Sequence, residues 1–351
     1  MLQAVLQSYS LANDTYQIAP LGSGLINKTW QVTGPGAQAF VLQRINTGVF
    51  KNPEYIAANI EKIGKYLAAN NPSYLFAAPL PTADGRYMVN VNDEYYRLSR
   101  YIPESYTLNS LTEPAHAYEA ARQFGRFSRL LQSFDAGQLQ YTLPDFHNLS
   151  LRITQFRNAV KYATDERIEK AAAQIEEVNS LMAIADTYRN IVDGKTIPLR
   201  VIHHDTKINN VLFDRNGKGL CVIDLDTVMP GYFISDVGDM MRTYLAEANE
   251  EEQHIDKITI RPEFFAAIYA GYMEEMSDIL TPAEKDLFIY SGKFMIYMQA
   301  VRFLADYLND DIYYTTHYEG QNLIRAINQL KLLEEYMKAE ESLRALIALK
   351  A

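Results

Sequence analysis

The string His203-His204-Asp205-Thr206-Lys207-Ile208-Asn209-Asn210, with Asp224 fourteen residues beyond Asn210 in Val222-Ile223-Asp224-Leu225-Asp226, constrains this chain more than any other feature. An apolar segment, residues 199–202, runs into the string. Two further apolar runs, 211–213 and 220–225, surround Arg215-Asn216-Gly217-Lys218-Gly219. Asn-Gly between apolar runs predicts a hairpin, because both turn residues tolerate positive φ. Folding back on itself, such a hairpin brings Asp224 beside the loop that carries Asn210. An isolated Asp or His at a strand end reads as a hydrogen-bonded turn. Here the residue types, their spacings, the preceding strand and the following hairpin agree on a site.

The spacing H-x-D-x-x-x-x-N followed by a distal Asp is that of phosphoryl transfer. That reaction asks for a carboxylate to position the acceptor hydroxyl and take its proton, and for oxygen ligands on a Mg²⁺ that bridges the phosphates of ATP. Asp205 suits the first task, and Asn210 with Asp224 the second. Lys207 matches a position where protein Ser/Thr kinases carry a lysine that neutralises the moving phosphoryl group. His203 is expected to brace the loop structurally. Asp226 either assists the metal or caps a solvated strand.

A chain of 351 residues exceeds what one core usually holds and fits two lobes with a cleft between them. Residues 17–102 read as strand-rich, with short β-favouring segments at 16–20, 29–33, 39–45, 86–90 and 95–101. One amphipathic helix, 53–69, interrupts them, with Ile56, Ile60, Ile63 and Leu67 in a single stripe. Pro103 marks the boundary. Beyond it the pattern is helical at 114–134, 149–163, 167–191 and most of 261–350, apart from the β island. The expected class is α+β, a two-lobed protein-kinase-like fold: a small antiparallel β lobe for the nucleotide at 1–103 and a larger, mainly helical lobe at 104–351. A last helix at 330–349 packs in the core or against a partner.

In such a lobe Gly22-Ser23-Gly24, lying between two predicted strands, becomes a phosphate cover whose glycines permit close backbone approach. The third strand supplies a basic residue, Arg44, able to fork to phosphate or carboxylate. Its helix partner is expected to be Glu61, with Glu54 as the alternative. Adenine is expected along the connecting segment Arg100, Tyr101 and Ile102.

A formal net charge of −10 works against binding the phosphate backbone of nucleic acid. The single cysteine, Cys221, excludes a disulfide within the chain and suits a reducing, cytoplasmic setting. The opening MLQAVLQSYSL has neither the basic region nor the sustained apolar run of a signal peptide, and no stretch is long and apolar enough to suggest a membrane span. The expected partner is a small acceptor molecule, with the protein a monomer or a homodimer.

These residues resemble the aminoglycoside phosphotransferase and choline kinase superfamily, and more narrowly the bacterial N-acetylhexosamine 1-kinases. The resemblance rests on Gly22-Ser23-Gly24-Leu25-Ile26-Asn27-Lys28-Thr29, Val41-Leu42-Gln43-Arg44, the Asp205 string, Cys221 to Gly231, and Val301-Arg302-Phe303-Leu304-Ala305-Asp306-Tyr307-Leu308. It implies ATP-dependent phosphorylation of the anomeric hydroxyl of GlcNAc or GalNAc. Asp205 is then the base, Asn210 and Asp224 the metal ligands, and Asp236 the buried brace of the loop. Arg302 and Tyr313 resemble sugar-contacting positions; otherwise Arg302 pairs with Asp306 one turn away and Tyr313 packs. Leu25 stands where related sugar kinases often carry His, which removes a donor at the sugar. The same superfamily offers other acceptors, among them other hexoses, choline, homoserine and aminoglycosides. A nucleotide-binding protein without catalysis is the reading from another class.

Overall fold

The computed structural model describes residues 1–11, 15–22 and 26–349. After a short helix α1 (Leu2–Ser8), strands β1 (Gln17–Pro20), β2 (Lys28–Thr33) and β3 (Ala39–Ile45) form an antiparallel meander. Helix α2 (Pro53–Asn70) follows, then β4 (Val89–Val91) and β5 (Glu94–Arg100) complete a sheet of order β1-β2-β3-β5-β4. Period-two alternation gives this sheet two faces. Phe40, Leu42, Tyr96 and Leu98 pack with Val5 and Leu6 of α1 on one face. Ile45 and Tyr95 join Ile56, Ile60, Ile63 and Leu67 of α2 on the other. The stripe predicted for α2 is thus the seam that fastens the sheet to the rest of the molecule.

The chain leaves this sheet at Arg100, and β6 (Ser105–Tyr106) already pairs with β8 (Val211–Asp214) of a three-stranded sheet completed by β9 (Gly219–Val222). Between them lie α3 (Pro114–Leu130), α4 (Leu149–Tyr162), α5 (Asp165–Lys170), α6 (Ala172–Ser180), α7 (Ala183–Gly194) and β7 (Arg200–Ile202). After β9 come β10 (Met229–Gly231), which pairs with β7, and helices α8 (Phe233–Tyr244), α9 (Pro262–Met276), α10 (Pro282–Asp286), α11 (Phe288–Leu308), α12 (Gln321–Lys338) and α13 (Glu340–Ala348). The architecture is the expected α+β one, antiparallel strands first and helices after.

Several details differ from the expectation. The single helix predicted at 167–191 is three helices, because Ala171 and Leu181 leave helical geometry at φ −105° and −96°. The helix at 330–349 is two, joined at Ala339, and Leu330, Leu332, Leu333 and Leu343 are buried in the main core. In the hairpin only Gly217 takes positive φ, at 76°; Asn216 does not, and the strands are offset by a bulge between Leu212 and Phe213. A turn capped by one left-handed glycine closes the hairpin instead of the two-residue type. The second hairpin strand ends at Val222, two residues short of Asp224. The buried helix α8 packs against α11 where Gly238 faces Ser291: a Cβ there would lie 2.3 Å from the Ser291 carbonyl oxygen.

A candidate phosphotransfer site

The loop after β7 is held from beneath by α8. Asp236 accepts the backbone N–H of His203 (2.9 Å) and of His204 (2.7 Å), and Asp239, one turn on, accepts that of Thr206 (2.8 Å). The Thr206 hydroxyl donates to the Asp236 carbonyl, and the Tyr244 hydroxyl donates to the Thr206 carbonyl. These bonds fix His204 at φ 66°, a conformation that costs a non-glycine residue about 1–3 kcal/mol and persists only where its surroundings impose it. Asp236 was expected as the brace; Asp239 and Tyr244 add to it. Their spacing from Asp236, three and eight residues along a helix, leaves them near the same face, a signal the sequence contained.

His203 is fully buried against Phe124 and Phe127. Its Nε2 faces the Ile223 carbonyl at 2.9 Å, and its Nδ1 lies 3.4 Å from the Asp205 N–H. Donation from Nε2 and acceptance at Nδ1 make it a neutral strut between the two halves of the site, the tautomer following from the network. Burial depresses the neighbouring His204 to about 3.

Asp205 is partly open to the cleft, and Lys207 Nζ sits 3.2 Å from its Oδ1. That carboxylate raises the Lys207 pKa. Asn210 donates its amide to the Asp205 carbonyl at 2.9 Å and its own carbonyl accepts the Ile223 N–H at 2.9 Å, so the side-chain oxygen remains for another partner. Asp224 follows at φ 59° and opens into the cleft, with no donor to either carboxylate oxygen among the described residues. Crowding by protein on its flanks, then the charges of Asp226 and Asp205, push its carboxyl up to about 7. A carboxylate so placed suits a cation. One amide oxygen and one carboxylate fit Mg²⁺, which keeps several waters and takes few protein ligands beside substrate phosphates.

Asp226 does not lie in solvent. It is 1% exposed and paired with Arg97 of β5, itself 3% exposed. Its Oδ2 accepts from the Asn27 amide at 2.6 Å, and Asn27 Oδ1 accepts the Asn46 N–H at 3.0 Å. Asn27 is therefore tied to the segment after the hairpin that bears Asp224. Gly22 takes φ 73°, with nothing within 4 Å of its Cβ position among the described residues; Ser23, Gly24 and Leu25 lie outside them.

One expectation for the nucleotide end is corrected. Arg44 pairs with Glu94, not with Glu61 or Glu54; Glu61 pairs with Lys65 on its own helix. Register explains this: Arg44 stands opposite Tyr96, so both project to the α1 face and away from the cleft. The residue facing the carboxylates is Arg97, whose position on a fifth strand no local pattern distinguishes. At the connecting segment, the Tyr101 N–H donates to the Ala39 carbonyl and the Ile102 carbonyl accepts from Ser105 Oγ, so these two groups are engaged within the fold.

At the other end of the cleft Arg302 has no carboxylate partner among the described residues. It donates to Gln299 at 3.2 Å and lies within 6 Å of the rings of Phe146, Tyr313 and Tyr314. Asp306, the partner in the alternative reading, instead accepts the N–H groups of Tyr313 (2.8 Å) and Tyr314 (2.9 Å) and the Asn322 amide (2.9 Å). Tyr313 is 67% exposed, so it is not packed in the core. His147 stacks on Phe146 and lies 5.4 Å from the His204 ring, joining this end to the loop.

Residues 17–269 match the model of the phosphotransferase enzyme family, designated APH. The chain belongs to that family. This phosphotransferase is similar in structure to a microcompartment-associated aminopropanol kinase, at 15% identity and a TM-score of 0.66 with 97% of each chain covered. It is also similar to an amicoumacin kinase in complex with AMP-PNP and Ca²⁺, at 13% identity and a TM-score of 0.62, covering 95% of this chain and 92% of that one. An aminoglycoside phosphotransferase from Alicyclobacillus acidocaldarius matches at 13% identity and a TM-score of 0.63, covering 99% and 96%. At such identities the likeness establishes the kinase-like fold, and the family establishes a small-molecule kinase. Among the described residues no helix is long and apolar enough to cross a membrane.

Proposed function

We propose that this phosphotransferase uses ATP with Mg²⁺ to phosphorylate the anomeric hydroxyl of an N-acetylhexosamine, GlcNAc or GalNAc, with residues 1–103 as the nucleotide lobe and 104–351 as the lobe of the acceptor. The observation that carries the acceptor class is Arg302, a guanidinium among three aromatic rings with no carboxylate partner among the described residues. A cationic acceptor would meet like charge there. A neutral, hydroxyl-rich ring finds planar donors and aromatic surface. The anomeric position and the acetamido group rest on the sequence resemblance.

In this reading Asp205 accepts a hydrogen bond from the acceptor hydroxyl, aligns its oxygen with the γ-phosphate and takes its proton as the bond to phosphorus forms. Lys207 balances charge beside it. Asn210 and Asp224 would hold Mg²⁺, which supplies charge neutralisation between the phosphates. His203 and Asp236 keep the loop in its left-handed turn.

An ATP-coupled assay over GlcNAc, GalNAc, other hexoses, choline, aminopropanol and an aminoglycoside tests the proposal. Turnover of the N-acetylhexosamines is expected, with phosphorus-31 NMR placing the phosphate on the anomeric oxygen. Turnover of choline or aminopropanol alone would sink it, and a 6-phosphate product would sink the regiochemistry. ATP binding without turnover of any acceptor would favour the non-catalytic reading.

A further inference from the structure

We propose that Arg97, on β5, is the cation that binds the ATP phosphates in this phosphotransferase, in place of a basic residue on β3. The inference rests on the nucleotide-dependent reading above. Sheet register carries it. Thr29 of β2 stands opposite Gln43 of β3, and Gln43 opposite Arg97 of β5, so the three form one cross-strand row. The row is hydrogen-bonded end to end: Gln43 donates to Thr29 Oγ1 at 3.3 Å and accepts Arg97 Nε at 3.0 Å. It faces the cleft, because its last member reaches Asp226.

Arg44, one residue from Gln43, belongs to the opposite face by the same alternation and is neutralised there by Glu94. The cleft face of β3 therefore presents an uncharged amide, and the nearest cation stands one strand over. Arg97 also stands two residues' reach from Asp224, through its pair with Asp226. Asp226 fixes its Nη1 and is bound in turn by Asn27 at the end of the glycine turn. The Arg97 Nη2 donates to nothing among the described residues. A buried guanidinium whose Nη2 has no acceptor among the described residues suits a phosphate oxygen. Asp226 holds that charge satisfied until a phosphate shares it.

Calorimetric titration of the full chain with Mg·ATP and with adenosine tests this. Asp226→Asn relieves the buried carboxylate, and Arg97→Gln added to it leaves no unpaired charge. The double variant is expected to bind Mg·ATP at least tenfold more weakly than Asp226→Asn alone, with adenosine affinity within threefold. A smaller loss, or an equal loss for adenosine, overturns the proposal. Should the double variant not fold by circular dichroism, Arg97→Lys decides: it keeps the charge but loses the fork, so Mg·ATP affinity should fall at least threefold and adenosine affinity should not. A wild-type chain that binds no nucleotide overturns the parent reading and this one with it, whereas ATP binding insensitive to Arg97 overturns this one alone.

Discussion

The loop around Asp205 and the rim around Arg302 face one cleft but are held in different ways. The loop hangs from two carboxylates and a tyrosine of a buried helix, with Asp236 at 1% and Asp239 at 4% exposure. The rim is a guanidinium among rings, one of them Tyr313 at 67% exposure, and its loop is held by the Asp306 carboxylate under two backbone N–H groups. A phosphoryl group is transferred along one line, so its base tolerates little displacement. An acceptor pocket selects among molecules, and exposed aromatic side chains on a loop change at small cost to the core. On the proposed function the rigid loop serves the transfer and the exposed rim the choice of acceptor.

Replacing Asp205 by Asn keeps the shape and removes the proton acceptor. On the proposed role kcat falls by about 10²–10⁴-fold while Mg·ATP affinity, read by calorimetry, is retained. Retained turnover would remove the loop from the chemistry and break the comparison at its first term. Asp236→Ala strands two backbone N–H groups in the core, each costing about 1–3 kcal/mol, and should lower stability by roughly 3 kcal/mol in urea unfolding. A loss under about 1 kcal/mol would show that the loop is not held by α8. At the rim, Arg302→Met should raise the acceptor KM by about tenfold, the worth of one or two charge-assisted hydrogen bonds. Nucleotide KM and thermal stability should stay near wild type. Equal effects on both substrates would mean that Arg302 is structural.

The smallest effect concerns pH. Burial depresses His204 to about 3, below its ordinary value near 6.5. The unfolded chain therefore binds this proton at higher pH than the folded one. The contribution of His204 to stability is full above about 6.5 and is lost as the pH falls toward 3, at up to about 1.4 kcal/mol per pH unit. His147, depressed in the same direction by burial, adds to it. A His204→Gln variant should lose stability less steeply than wild type between pH 6 and 5 by denaturant unfolding. Identical slopes would show that the histidine pair beside the loop is not what acid attacks.

Much of the loop was legible because its information is local. The spacings from His203 to Asn210 and on to Asp224 are set by one turn and one hairpin, and Asp236 follows in the next helix. The parity of β3 was legible too: Gln43 and Arg44 must face opposite ways. Which face meets the cleft was not, because that depends on α1 covering one side of the sheet and α2 the other. The same holds for Arg97 and Asp226, which are 129 residues apart and meet only when β5 is laid beside β3 and the chain after β9 is drawn beneath it. Asp306 could be read as an ion-pair partner of Arg302 from helical spacing, but the loop beyond the helix returns two backbone N–H groups that it accepts instead. By itself the sequence determined the spacing of the loop from His203 to Asn210 and of the hairpin after it, since turns act over a few residues. Only the tertiary structure decided which arginine stands with the carboxylates and what surrounds Arg302, since charge pairing across a cleft depends on how the layers pack.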